Sequence, residues 1–178
     1  MRGKWIVRGI DTLNEKVGSY VAFLIIPVIG IISYEVTARF VFNAPTIWAG
    51  DVTTLVYGVL VALLGGYALL YDGHVRVDIL FERLSPRGKA MADLITAPFA
   101  FVFVASFLWF ATEIAIDATA SREVLNTVFA PPTFPLRLIL ALGVLLLLLQ
   151  MIAKVIRNVQ IVREHGGEAA TTAKGAKQ

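Results

Sequence analysis

Four apolar stretches, at 17–34, 52–71, 94–112 and 134–153, fill most of this 178-residue chain, and none carries a charge near its middle. Each is close to the ~20 residues that an α-helix needs to cross a bilayer core. Backbone amides in lipid must be satisfied internally, which a helix does within one segment. The expected fold is therefore an all-α integral membrane protein with four transmembrane helices, at 17–42, 47–71, 87–117 and 134–158. Composition agrees: 16% of residues are charged, against about 25% in water-soluble domains. Too little chain remains for a second unit, so 1–165 reads as a single membrane domain and 166–178, rich in Gly, Ala, Thr and Lys, as a disordered tail.

Orientation follows from the cations. The amino-terminal segment (Arg2, Lys4, Arg8, Lys16), the loop between the second and third spans (Arg76, Arg83, Arg87, Lys89) and the tail hold thirteen of the sixteen Lys and Arg residues. Only Arg39, Arg122 and Arg137 fall on the other side. The positive-inside rule then puts both termini in the cytoplasm. The net charge of +3 is a product of that topology and does not indicate nucleic-acid binding. Cysteine is absent, which removes disulfides, thiolate metal sites and thiol catalysis.

Ahead of the first span, Ile6, Ile10, Leu13 and Val17 recur at helical spacing while Arg2, Lys4, Arg8, Asp11, Asn14 and Glu15 take the other faces. The pattern predicts an amphipathic helix over 3–16 lying on the inner leaflet, with Trp5 at headgroup level. A secretory signal is the competing reading, but no small-residue cleavage site follows Ile32.

Polar residues gather at the span ends. Glu35 and Arg39 share a helix face four residues apart, with Glu35 about 27 Å from the start of its helix and so near the outer surface. Pro45 ends that helix, and Asp51 falls in the first turn of the next, where the helix dipole favours a carboxylate and Arg39 is within reach. By residue chemistry alone this is a capped hairpin with interfacial aromatics such as Trp48. In the second span Gly50, Thr54, Gly58, Ala62 and Gly66 recur every four positions, a face to which another helix can come close. Whether that neighbour belongs to this chain or to a partner stays open at this level. The inner loop contains His74, Arg76 and Asp78 on an interfacial segment, and Ser85-Pro86 has the pattern of a helix start. One His beside two Asp residues is too thin a set for a metal site. The third span carries Pro98, a candidate kink. At its outer end Glu113 and Asp117 are candidate partners for Arg137, and Gln150 is the main polar group inside the fourth span. No phosphate loop, nucleophile with a nearby base, pair of intramembrane His, or inverted repeat is visible, so neither catalytic residues nor a cofactor site is expected.

The ordered motif Glu35-x-x-x-Arg39-Phe-Val-Phe-x-x-Pro45-x-x-Trp48-x-x-Asp51, followed by a Gly-containing second span and His74-Val-Arg76-Val-Asp78, resembles the small membrane subunit (DctQ-type) of tripartite ATP-independent periplasmic (TRAP) transporters. The resemblance covers about 10–160. Phe40 stands where that family commonly has Tyr, and Asp51 where it commonly has Glu. It implies an inner-membrane protein, not an enzyme, working beside a large elevator-type membrane subunit and a periplasmic substrate-binding protein in sodium-coupled uptake of organic acids. Glu35, Arg39, Trp48 and Asp51 would then serve outer-side architecture, Gly58, Ala62 and Gly66 helix packing, and His74, Arg76 and Asp78 inner-side anchoring. Two other classes compete. A small multidrug exporter would need its carboxylate at mid-depth, and a membrane anchor of a respiratory enzyme would need paired haem ligands.

Overall fold

The computed structural model of the chain describes residues 2–71 and 86–175, all of them helix, turn or loop apart from one isolated bridge between Val124 and Pro132. Among the described residues five helices follow one another: α1 (Arg2–Ala22), α2 (Ile25–Phe40), α3 (Ala49–Leu70), α4 (Pro86–Ala120) and α5 (Phe134–Gly175). They provide four segments long and apolar enough to cross a membrane. Inner and outer below denote the end that carries the amino terminus and the end opposite it.

The amphipathic helix does not stop at residue 16. It runs to Ala22, and the chain turns at Phe23–Leu24 before α2 begins. Pro27 explains the position of that turn. Its missing amide cannot bond the carbonyl of Phe23, and its ring crowds that carbonyl. The amides of Phe23, Leu24 and Ile26 fall back on the tighter three-residue pattern, donating to Tyr20, Val21 and Phe23 at 3.2, 2.9 and 3.1 Å. At 16 residues, α2 is about 24 Å long, short of the ~30 Å hydrocarbon core. The end of α1 makes up the difference, so this span is bipartite.

The helices form a row rather than a closed bundle. In space the order is α2, α3, α5, α4: α3 packs on α2 and α5, and α4 packs on α5. The inner part of α1 lies against both α3 and α5. Close approach along the row depends on small residues. Gly143 of α5 sits so near α3 that a Cβ there would lie 2.2 Å from the carbonyl oxygen of Ala62. Gly66 faces Asn14 and the backbone of Leu146, Gly58 faces the Leu136 side chain, and Gly18 of α1 lies under the ring of Tyr67. The four-residue stripe on α3 is thus used within this chain from Gly58 to Gly66, while Gly50 and Thr54 remain exposed.

Pro98 lies inside α4 without ending it. The helix closes at its outer end by a Schellman arrangement: Arg122 takes a left-handed φ of 48°, Glu123 N–H donates to Ala118 O at 2.9 Å and Arg122 N–H to Thr119 O at 3.4 Å. Helix α5 continues to Gly175, past both the expected span end at 158 and the boundary of the expected tail at 166. Ala, Glu and Lys in that stretch are good helix formers, which offsets its glycines. His74, Arg76 and Asp78 lie outside the described residues.

Candidate functional site at the two membrane boundaries

At the outer boundary Glu35 organises the α2–α3 hairpin. One carboxylate oxygen takes the Arg39 guanidinium at 2.6 Å; the other accepts from the Thr46 hydroxyl at 2.5 Å and the Thr46 amide at 3.1 Å. The Thr46 hydroxyl in turn accepts from Ala49 N–H at 3.3 Å and so caps the start of α3. Tyr34 stacks on Trp48 with ring centroids 6.1 Å apart, closing the same turn. Asn43, in the left-handed region at φ 50°, supplies the bend, a conformation that Asn tolerates better than most residues.

Two expected pairings are replaced. Asp51 does not meet Arg39, which is taken by Glu35; it accepts instead from the Thr127 hydroxyl at 2.5 Å, joining α3 to the α4–α5 loop. Arg137 pairs with Glu123 at 2.5 Å and not with Glu113 or Asp117. The Schellman turn at Arg122 reverses the chain, and Glu123 is then held beside the start of α5 by Thr133, whose amide and hydroxyl donate to its carbonyl at 2.9 and 3.2 Å. Glu113 and Asp117 project from α4 before that reversal.

The inner end holds a polar relay that joins Gln150, expected inside its span, to Asp11 and Asn14, expected on the polar faces of the amphipathic helix. Asn14 and Gln150 are each 1% exposed. Asn14 Nδ2 donates to Gln150 Oε1 at 2.9 Å and to its own helix at Ile10 O at 3.2 Å. Gln150 Nε2 donates to Asp11 Oδ1 at 2.8 Å, and Arg157 holds both oxygens of Asp11 at 3.0 and 3.1 Å. Asn14 Oδ1 is buried against Gly66 and has no donor among the described residues. Beside the relay Tyr71 donates to Glu15 at 3.2 Å, and on α4 Asp93 meets Asn158 at 3.2 Å and Lys154 at 3.8 Å. Gln150 lies sixteen residues into α5, about 24 Å from its start. Counted from that start, Gln150 and Asn14 lie within the inner part of the ~30 Å core, Asp11 and Arg157 lie nearer its edge, and together they fasten α1 to the row.

Asp11 and Asn14 were missed because a helix with one apolar face was sorted into lipid and water sides, leaving no side for protein. The signal was present as stripes: Asp11, Asn14 and Gly18 share one face of α1, and Gln150 and Arg157, seven apart, share one face of α5.

The middle of the row is different. Among the described residues, every Asp, Glu, Lys and Arg in the helices lies toward a span end, and 52–70, 94–112 and 138–153 contain none. No three His, Cys, Asp or Glu residues come together there as a candidate metal set. The sequence profile of the DctQ component of tripartite ATP-independent periplasmic transporters matches residues 28–161, from α2 into α5. The chain belongs to this family. It is thus a small membrane component of a TRAP transporter and a multi-pass membrane protein. A search of curated proteins finds no match. The DctQ match takes in the outer hairpin, Gln150 and Arg157, whereas Asp11 and Asn14 precede it.

Proposed function

We propose that this DctQ-type chain braces the fixed scaffold of a large elevator-type subunit in the bacterial inner membrane, for sodium-coupled, binding-protein-dependent uptake of organic acids. One observation carries the bracing role: a single row of helices, covered by α1 only toward its inner end, whose mid-depth has no Asp, Glu, Lys, Arg or His among the described residues. A proton-coupled carrier needs such a group in its pathway. A row, unlike a closed bundle, presents broad apolar faces that can be covered by a second membrane protein. Exposed Phe99, Phe103, Trp109 and Phe110 on α4 offer area of that kind. The outer hairpin shaped by Glu35, Arg39, Trp48 and Asp51 is the surface offered to the loaded binding protein, and His74, Arg76 and Asp78 anchor the inner boundary. Gly58, Ala62 and Gly66 keep the row itself together.

Reconstitution tests the assignment. Liposomes holding this chain alone should take up no organic acid under an inward sodium gradient, and those holding it with its large subunit and binding protein should do so. Uptake by the lone chain overturns the reading. The absence of Cys makes the orientation directly measurable. A single thiol from Ser121→Cys should react with an impermeant maleimide added outside intact cells, and one from Arg163→Cys only after lysis. The reverse pattern would place the termini in the periplasm.

A further inference from the structure

Helices α3 and α4 stand on either side of α5 without packing along one another, and the crevice between them has two joined parts. Toward mid-depth it is an apolar cleft of about 410 Å³ floored by Leu147 and Met151 and walled by Ala97, Ala100 and Val104. At the inner boundary it opens into a pocket of about 270 Å³ whose lining, among the described residues, includes Lys89, Lys154 and Arg157 against one carboxylate, Asp93. Leu69, Asp93, Lys154 and Asn158 border both, so the two are continuous.

Depth and charge together specify an occupant. From Asp93 to Val104 the α4 wall rises about 16 Å, half the ~30 Å hydrocarbon core, which is the depth of one leaflet. Among the described residues the pocket at its mouth is positive on balance: three cations face Asp93, with Asp11 behind Arg157. Asp93 is engaged by Lys154 and Asn158. The pocket also lies by the first turn of α4, where backbone amides and the helix dipole favour an anion. Basic pockets between helices at a membrane boundary suit the phosphate of an anionic lipid.

We propose that this crevice seats one anionic phospholipid from the leaflet on the side of the termini, with its phosphate among Lys89, Lys154 and Arg157 and an acyl chain laid along Ala97, Ala100, Val104 and Leu147. The lipid fills the gap that the row leaves between α3 and α4.

The test is native mass spectrometry of the full chain in detergent, titrated with phosphatidylglycerol or with phosphatidylcholine. Phosphatidylglycerol should be retained about fivefold or more above phosphatidylcholine, the factor expected of one favourable cation contact. Lys89→Gln should lower phosphatidylglycerol retention about fivefold and that of phosphatidylcholine, whose choline offsets its phosphate, by less, while Arg163→Gln, an exposed cation outside the pocket, should change neither. Ala100→Trp, which obstructs the chain cleft, should lower both lipids. Equal retention of the two lipids by the native chain, equal losses in Lys89→Gln and Arg163→Gln, or full displacement of lipid by millimolar glycerol 3-phosphate would overturn the proposal. The last outcome would mean that a free anion suffices.

Discussion

Gly143→Ala should destabilise the protein by about 1–3 kcal/mol, the usual cost of forcing an extra methyl into a packed interior. The added carbon would lie 2.2 Å from the Ala62 carbonyl oxygen and 2.6 Å from its carbonyl carbon. Both atoms are backbone, so no rotamer change relieves the clash, and α3 and α5 must move apart. Helix association in lipid relies on van der Waals fit of this kind, since the surrounding tails are as apolar as the helices. Ala62→Gly should fail to rescue the variant because the obstacle is main chain. Gly65→Ala, with open space where its Cβ would go, is the control and should cost nothing, gaining up to about 1 kcal/mol from helix propensity. Thermal unfolding of the purified chain in detergent measures all three; a Gly143→Ala protein as stable as wild type, or one rescued by Ala62→Gly, would show that the helices are not in backbone contact there.

Gln150→Leu should free the inner part of α1 and leave the α4–α5 pair intact. The substitution removes the acceptor of Asn14 and one donor to Asp11. In membranes an interhelical hydrogen bond contributes about 0.6 kcal/mol on average and up to about 1.7, so two lost bonds amount to about 1–3 kcal/mol. The cost lies mainly in the half-orphaned Asn14 amide, left with Ile10 O as its one acceptor and with no donor to its Oδ1 among the described residues. Replacing both partners with apolar side chains removes the orphan as well. Asn14→Leu combined with Gln150→Leu should therefore be less harmful than the two single costs added, a coupling that a double-mutant cycle reads directly. Hydrogen exchange should rise over α1 and stay unchanged over 94–120. Strict additivity, or exchange that rises evenly through the molecule, would mean that the relay is not what fastens α1.

The spans were readable because uncharged runs of 16 to 20 residues have few other fates, and Glu35 with Arg39 because helix periodicity alone brings them together. What resisted reading was choice among several possible partners. Arg137 had two evident acidic candidates, Glu113 and Asp117, and the choice of Glu123 instead was made by a left-handed residue at Arg122 that no residue preference announces. Arg39 lay within chain reach of both Glu35 and Asp51, and the nearer carboxylate on the same helix face took it. The stripe on α3 was visible because it repeats, whereas its counterpart, Gly143, is a single small residue in a run of leucines. Pro27 did mark the division of the first span, but a proline in an otherwise apolar run was passed over. Asp11 and Asn14 show the same limit from another direction: periodicity tells which residues share a face, and only the neighbours tell what that face meets.

The spatial sequence of the row also constrains how the protein is made. Helix α4 leaves the ribosome before α5, yet its packing partner is α5, not the hairpin already in place. During synthesis it lacks its packing partner until α5 inserts between it and α3. Any delay in delivering α5 leaves two separate pieces in the bilayer, the hairpin and an unpartnered α4.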